Sequence, residues 1–277
     1  MKKLLLLLAL LAHPLAYAAP PKVRLMDIPS RPGVTVRVLL VTPQRPVATL
    51  LLFAGGERPL AITEDGAFGW GGSSLLVRIS PLLVEAGLTI AIVDLPSDKQ
   101  TAPLGNYRES AEHTEDIRAV ITSLRGTSGL PLWLAGVSSG ATSVLNGAVG
   151  LGKDHPDGVV FPSGAPLAGT FSGKLDEVRV PAVVMHKAAD LCRPSDDAAS
   201  AEFLARLKNS PKAEQFAVRG KASADDPCKP APGHGLVGLE RELASAIADW
   251  IKSFIKPKQY VLLEAGKINT FSNPKLP

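Results

Sequence analysis

The stretch LPLWLAGVSSG, residues 130–140, decides the fold class of this 277-residue chain. Apolar letters lead into the pentapeptide G-V-S-S-G, residues 136–140, and a segment of small residues follows it. A strand that passes into a helix through such a pentapeptide must turn sharply, with the central serine in a strained conformation. Glycine is expected on both sides because other side chains would collide there. The turn should lift the Ser138 hydroxyl above the sheet and set the Ser139 N–H at a helix N-terminus.

Around this stretch, buried apolar strands alternate with amphipathic helices. This alternation predicts an α/β fold with a mostly parallel central sheet, helices on both faces, and an active site at the carboxyl ends of the strands. The second long helix is expected to end at Gly126. The predicted strands are 34–43, 47–56, 88–96, the first part of 130–140, 157–166, 180–190 and 213–220. The predicted helices are 73–88, 107–126, 139–150, 196–209 and 235–255, and the tail 256–277 has no partner in this scheme.

The first 18 residues have the pattern of a secretory signal peptide. Two lysines precede a leucine run, and the segment ends in Ala16-Tyr17-Ala18, a small-x-small cleavage signal. We therefore expect a single domain over residues 19–277, exported to the periplasm or the medium; an N-terminal anchor helix is the alternative. The mature chain would carry 28 basic and 26 acidic residues, and a charge so close to zero favours neither nucleic acid nor membrane binding.

A serine hydroxyl needs a base, and the histidine best placed to supply it is His234. It lies between two glycines, after the last predicted strand of the sheet and before the last helix. The other histidines are less suited. His113 is expected on the exposed side of a helix, His155 in a loop, and His186, at a strand end, as a packed or hydrogen-bonded structural residue.

The base in turn needs a carboxylate that fixes its tautomer, and Asp190 is the first candidate because it ends the strand 180–190. Asp94 ends an earlier strand, before the serine. Asp196 and Asp197 are expected to cap the next helix. Asp225 and Asp226 lie near the histidine in a loop.

The oxyanion site requires a second N–H besides that of Ser139. The segment LLFAGGE, residues 51–57, ends a strand in two glycines that let the backbone approach a ligand closely. The amide of Gly56 is the predicted donor, with Glu57 as the fallback. A simple tight turn is the alternative interpretation of this segment.

The chain order Ser138, Asp190, His234, with G-x-S-x-G at a strand-to-helix turn, resembles the α/β-hydrolase superfamily over nearly the whole mature chain. The segment LLFAGG is similar to the H-G-G-type oxyanion segment of esterases, although Ala54 stands in place of the histidine. The resemblance implies acyl-transfer hydrolysis of a small-molecule ester with neither a metal nor an organic cofactor. It fixes neither the substrate nor the oligomeric state.

The interval 167–179 is too short for a helical lid, which predicts an open site without a large cap. The loop 57–74 would form its wall, with Phe68 and Trp70 lining a substrate pocket or packing locally. Three functions stay open: a secreted carboxylesterase, a serine peptidase or thioesterase, and a non-catalytic binding protein on a hydrolase scaffold.

The chain has two cysteines, Cys192 and Cys228. In an exported protein this even number predicts a disulfide, which would tie the loop of Asp190 to the loop of His234. Two free buried thiols are the alternative.

Overall fold

The computed structural model describes residues 19–101, 103–164, 166–167, 169–188, 197–219, 236–255, 260–264 and 267–271. The strands of the central sheet are β1 (Lys22–Arg31), β2 (Val34–Thr42), β3 (Ala48–Phe53), β4 (Leu88–Pro96), β5 (Leu132–Gly136), β6 (Gly158–Pro162), β7 (Ala182–Lys187) and β8 (Ala213–Val218). The helices are α1 (Leu75–Glu85), α2 (Ala111–Ser128), α3 (Gly140–Gly150), α4 (Asp197–Arg206) and α5 (Glu240–Lys252). Short 3₁₀ helices lie at Ser97–Lys99, Tyr107–Glu109, Gly152–Asp154 and Thr170–Glu177.

The sheet has the strand order β1-β2-β4-β3-β5-β6-β7-β8. The pairs β1–β2 and β2–β4 are antiparallel, and all other neighbours are parallel. The predicted α/β class with a mostly parallel sheet is confirmed. Strand β1 was not predicted, because much of its surface is exposed and it lacks a continuous apolar run.

Helices cover both faces of the sheet, and the period-2 alternation of β3 divides the core between them. Leu50 and Leu52 pack on the face that carries α1 and α5. Leu51 and Phe53 pack on the opposite face, against residues of α2 and α3. Every residue of β3 is buried, which explains why its sequence is apolar apart from Thr49. Burial of each such leucine contributes about 1.5–3 kcal/mol to stability.

Helix α2 begins and ends at residues with capping chemistry. The Ser110 side chain accepts a hydrogen bond from the His113 N–H, at 3.2 Å. Gly129 ends the helix in the left-handed conformation, with φ 61°, and its N–H donates to the Arg125 carbonyl. The prediction that Gly126 ends this helix was wrong, because the left-handed cap lies three residues further on.

No inserted helical lid is present among the described residues that connect β6 to β7. This connection contains the 3₁₀ helix Thr170–Glu177, in which Phe171 and Leu175 are buried.

In the tail, β9 (Tyr260–Glu264) and β10 (Lys267–Phe271) form an antiparallel hairpin that was not predicted. None of the helices in the described ranges is long and apolar enough to cross a membrane.

Candidate active site

Ser138 lies at the sharp turn between β5 and α3. Its φ is 54°, in the left-handed region that residues with a side chain rarely adopt, and its side chain is exposed. The Gly140 N–H donates to the Val137 carbonyl at 2.9 Å, and the Ala141 N–H donates to the Ser138 carbonyl at 2.9 Å. The predicted strained strand-to-helix turn is therefore present, with the hydroxyl presented at the N-terminus of a helix.

The two glycines that flank this turn are required by close backbone contacts. A Cβ atom at Gly136 would lie 2.2 Å from the Gly140 carbonyl oxygen. A Cβ atom at Gly140 would lie 2.2 Å from the Phe53 carbonyl oxygen. A side chain at Gly136 would collide with the start of α3, and one at Gly140 would push the nucleophile turn away from β3.

The segment that follows β3 runs directly beside Ser138. A Cβ atom built on Gly55 would lie 3.0 Å from the Ser138 Cβ. The next residue, Gly56, has φ 92°; its N–H donates to Ser139 Oγ at 2.9 Å, and Ser139 Oγ donates to its carbonyl oxygen at 3.1 Å. The Gly56 N–H, the predicted oxyanion donor, is thus engaged by the side chain of the residue after the nucleophile.

Arg108 lies beneath this segment and was missed by the sequence analysis. It is 8% exposed, and its Nη1 donates to Ser143 Oγ of α3 at 2.7 Å. Its Nη2 donates to the carbonyl oxygens of Ala54, at 3.1 Å, and Gly56, at 3.3 Å. Burial lowers the pKa of the Arg108 guanidinium from its ordinary value. In sequence it resembles the exposed charges around it, so no local signal distinguished it.

Asp94 fixes the wall loop, which we define as residues 57–74. One carboxylate oxygen accepts from the N–H groups of Leu60, at 2.7 Å, and Leu95, at 2.8 Å, and the other accepts from the N–H of Ile62 at 2.9 Å. Asp94 is 4% exposed. A buried carboxylate that accepts three backbone N–H groups holds the start of the loop against the end of β4.

The two aromatic residues of the wall loop have different surroundings. Trp70 is 41% exposed, and a Cβ atom at Gly56 would lie 2.7 Å from its ring, so the indole stands over the Gly56 backbone. Phe68 is half-buried, forms a β-bridge with Ile62, and packs on the core beneath α1. Trp70 therefore stays a candidate for substrate contact, while the position of Phe68 fits local packing.

The prediction that His113 is exposed was wrong. Its side chain is only 4% exposed and belongs to a buried polar network. Its Nδ1 lies 2.9 Å from the Tyr107 hydroxyl, which donates to Asp116 Oδ2 at 2.6 Å. Arg31 donates to both oxygens of Asp116, at 2.9 and 3.1 Å. The prediction failed because His113 shares the sheet-facing side of α2 with Ile117. This i, i+4 spacing was the signal that could have found it.

Burial, reinforced by the Arg108 and Arg31 charges, lowers the pKa of His113 to about 3. Burial, with Asp116 as the second cause, raises the pKa of the Tyr107 hydroxyl. The histidine is therefore neutral and donates its Nδ1 hydrogen to a phenol that donates to Asp116. This network lies on the α2 face of the sheet and has the character of structural support rather than of a catalytic base.

His186 is buried at the end of β7, with Nδ1 3.0 Å from Asp197 Oδ1 and 3.2 Å from the Lys187 carbonyl oxygen. The prediction of a hydrogen-bonded structural histidine is confirmed. The predicted base and acid, His234 and Asp190, lie outside the described residues.

The cysteines and the predicted signal peptide also fall outside the described part of the chain. These residues are Cys192, Cys228 and residues 1–18.

A small cavity borders the buried Arg108. An internal cavity of about 20 Å³ is lined by residues that include Arg58, Leu60, Tyr107, Arg108 and His113. Ligand pockets for small molecules have volumes of about 300–1,000 Å³, so this cavity is too small for an ester substrate. Among the described residues, no group of three or more His, Cys, Asp or Glu side chains is arranged to hold a metal ion.

No protein-family model matches the chain. No curated protein matches it either. Among solved structures, it is similar to a dienelactone hydrolase from Anabaena variabilis, with a TM-score of 0.63 and 16% identity over 86% of this chain and 100% of that chain. An esterase from Pyrococcus furiosus gives a TM-score of 0.61 and 13% identity over 85% and 94% of the two chains. A lidless α/β serine hydrolase from Xanthomonas campestris gives 0.57 and 19% over 86% and 97%. The chain therefore has the α/β-hydrolase fold.

Proposed function

We propose that the protein is a serine hydrolase that cleaves carboxylic esters of small molecules through an acyl-enzyme intermediate. The observation that carries this proposal is the exposed Ser138, held at φ 54° at the N-terminus of α3 and directly beside Gly55. A strained serine in this position is typical of a nucleophile. The solved structures to which the fold is similar include proteins described as esterases and a serine hydrolase, which agrees with the proposal.

His234 is the proposed base, and Asp190 is its proposed carboxylate partner. Asp190 follows the end of β7 by three residues, and β7 runs parallel to β5 with β6 between them. His234 precedes Leu236, a buried residue of the segment that leads into α5, by two residues. The carboxyl ends of parallel strands share one edge of the sheet, and Ser138 lies at that edge. We therefore expect Asp190 and His234, which come after such strand ends, near the same edge.

In the proposed reaction, His234 takes the Ser138 proton as the serine oxygen attacks the acyl carbon. The oxyanion is stabilised by the Ser139 N–H and by one N–H of the segment after β3. His234 then donates its proton to the leaving alcohol, the acyl–alcohol bond breaks, and water repeats the sequence to release the acid and regenerate the serine.

The connection between β6 and β7, which has no helical lid in its described residues, supports dissolved, short-chain esters as substrates. Because the described residues of this connection form no helical lid, we expect activity that does not depend on an interface. We expect hydrolysis of p-nitrophenyl acetate and butyrate below their solubility limits, and a fall in rate for long acyl chains. A sharp rise in activity only when the substrate forms droplets would contradict this part of the proposal.

Labelling of purified mature protein with a fluorophosphonate tests the nucleophile. One adduct is expected, on the peptide that contains Ser138, and Ser138→Ala should abolish both labelling and ester hydrolysis while the far-UV spectrum is unchanged. Ser245→Ala, an exposed serine on α5, is the matched control and should keep both. Labelling of a different serine, or ester hydrolysis by Ser138→Ala, would overturn the assignment.

A further inference from the structure

The segment after β3 is held from below by a buried guanidinium. Arg108 donates to the Ala54 and Gly56 carbonyl oxygens and to Ser143 of the nucleophile helix. Within the described part of the chain, no carboxylate lies at ion-pair distance from it, although the charge of Glu57, on the same segment, raises its pKa against the larger effect of burial. A buried arginine usually pairs with a carboxylate. Arg108 instead donates hydrogen bonds to two backbone carbonyls of one short segment, which suggests that it orients that segment.

The peptide group that joins Gly56 to Glu57 is the part of the segment that Arg108 orients. In a trans peptide the carbonyl and the N–H point in opposite directions. The Gly56 carbonyl points inward, where it accepts from Arg108 at 3.3 Å and from Ser139 Oγ at 3.1 Å. The Glu57 N–H therefore points outward, and among the described residues nothing accepts a hydrogen bond from it. The Gly56 N–H, by contrast, already donates to Ser139 Oγ at 2.9 Å.

We propose that Arg108 is a positioning residue that orients the Glu57 N–H as the second oxyanion donor, and this inference rests on the proposed function. Arg108 does not touch the substrate. It fixes the carbonyl side of one peptide so that the N–H side of the same peptide is available to the oxygen bound at Ser138. It also links that peptide to α3, whose N-terminus supplies the Ser139 N–H, so both donors are set by one side chain.

The expected effect is on the transition state rather than on substrate binding. Removal of a whole oxyanion donor costs about 10²–10³ in kcat, and its misorientation should cost less, about 10–100-fold. Arg108→Met should lower kcat for p-nitrophenyl acetate by this factor with KM within about twofold. Its affinity for a boronic acid, which mimics the tetrahedral intermediate, should fall in parallel with kcat.

Arg31→Met is the matched control, because Arg31 is a largely buried arginine that binds Asp98 and Asp116 and not the segment after β3. It should lower the melting temperature without changing kcat or boronate affinity beyond about twofold. If Arg108→Met does not fold, Arg108→Lys carries the test: it keeps the charge but cannot reach all three acceptors, so a smaller drop in both quantities is expected.

Normal kcat and boronate affinity in a folded Arg108 variant would overturn the inference and leave the proposed function intact. Equal losses in Arg31→Met would also overturn it, because they would show a general effect of stability. A wild-type protein that neither hydrolyses esters nor reacts with a fluorophosphonate would instead refute the proposed function, and this inference with it.

Discussion

The Gly56 backbone and the Ser139 side chain exchange two hydrogen bonds, N–H to Oγ at 2.9 Å and Oγ–H to the carbonyl oxygen at 3.1 Å. These bonds join the segment after β3 to the N-cap residue of the nucleophile helix. The two parts of the chain that would stabilise an oxyanion are thereby held at a fixed separation.

Ser139→Ala should weaken this connection. Two hydrogen bonds contribute about 1–3 kcal/mol to the free energy of unfolding, which should fall by that amount in urea titrations. We expect kcat to fall by about fivefold, the equivalent of about 1 kcal/mol in the barrier, because the Gly56 carbonyl is then held by Arg108 alone. Ser139→Thr retains the hydroxyl and is the control. Equal kcat in the alanine variant and the wild type would show that the bond has no role in orientation.

Asp94→Asn should loosen the wall loop. An amide can accept through one atom only, so at least one of the three N–H groups bound to Asp94 loses its partner. We expect a loss of about 1–3 kcal/mol in unfolding free energy and faster cleavage of residues 57–74 in limited proteolysis. Asp65→Asn, at the exposed tip of the same loop, should leave both unchanged. Identical proteolysis of Asp94→Asn and wild type would contradict the role of Asp94 as an anchor.

His113 should make the protein less stable in acid. Its pKa is about 3 in the folded protein against an ordinary value of 6.5. As the pH falls below 6.5, the unfolded chain takes up a proton that the folded chain does not, so this stabilisation is complete above pH 6.5 and is lost toward pH 3. The slope is up to about 1.4 kcal/mol per pH unit.

His113→Asn tests this pH dependence because asparagine can still donate to the Tyr107 hydroxyl but does not titrate. Its unfolding free energy should fall less than that of the wild type between pH 7 and pH 5. His155→Asn replaces an exposed histidine and should retain the wild-type slope. Parallel curves for wild type and His113→Asn would mean that His113 takes up its proton in the folded protein as well.

The backbone of Ser138 predicts a difference between two inactive variants. Left-handed φ costs an alanine about 1–2 kcal/mol and a glycine nothing, although glycine loses more entropy on folding. Ser138→Gly should therefore be more stable than Ser138→Ala by about 0.5–1 kcal/mol in denaturant unfolding. If the alanine variant were the more stable one, residue 138 would not have the φ of 54° found here.

Trp70 and Phe68 should separate substrate effects from stability effects. Trp70→Ala removes an exposed ring over Gly56 and is expected to change the preference for acyl-chain length with a small loss of stability. Phe68→Ala removes a packed ring and should lower the melting temperature with the chain-length preference retained. A p-nitrophenyl ester series and thermal unfolding of both variants measure the two quantities. If instead Phe68→Ala changed the chain-length preference and Trp70→Ala lowered the melting temperature, Phe68 would be the residue that contacts the substrate and Trp70 the one that packs locally.

The sequence predicted the parts of this protein in which local pattern and burial coincide. Continuous apolar runs located β3, β4 and β5, and the two glycines around Ser138 located the turn before α3, because each reflects a local steric need. Their alternation with helices predicted the α/β class, and the α/β-hydrolase fold was expected from the resemblance carried by the G-x-S-x-G turn and the order Ser138, Asp190, His234.

Contacts between residues distant in sequence could not be predicted from local apolar and glycine patterns. Arg108, in the 3₁₀ helix Tyr107–Glu109, resembles a surface residue, and only its contacts with Ala54, Gly56 and Ser143 show why it is buried. His113 also resembles a surface residue, although its i, i+4 spacing with Ile117 was a signal of burial. The engagement of the Gly56 N–H joins residues 83 positions apart and has no local signature. The signal peptide, the disulfide, and the roles of Asp190 and His234 stay predictions.

The wall loop contains a small hairpin whose two arms are fixed near their base. The Thr63 N–H donates to the Ala67 carbonyl and the Trp70 N–H to the Leu60 carbonyl, while Glu64 and Asp65 at the tip are exposed. A few residues inserted at such a tip add little loop-closure entropy, about 0.6 kcal/mol for each doubling of length. The tip is thus a point at which a peptide tag or an immobilisation linker can be grafted into the chain, with the geometry of the nucleophile turn retained.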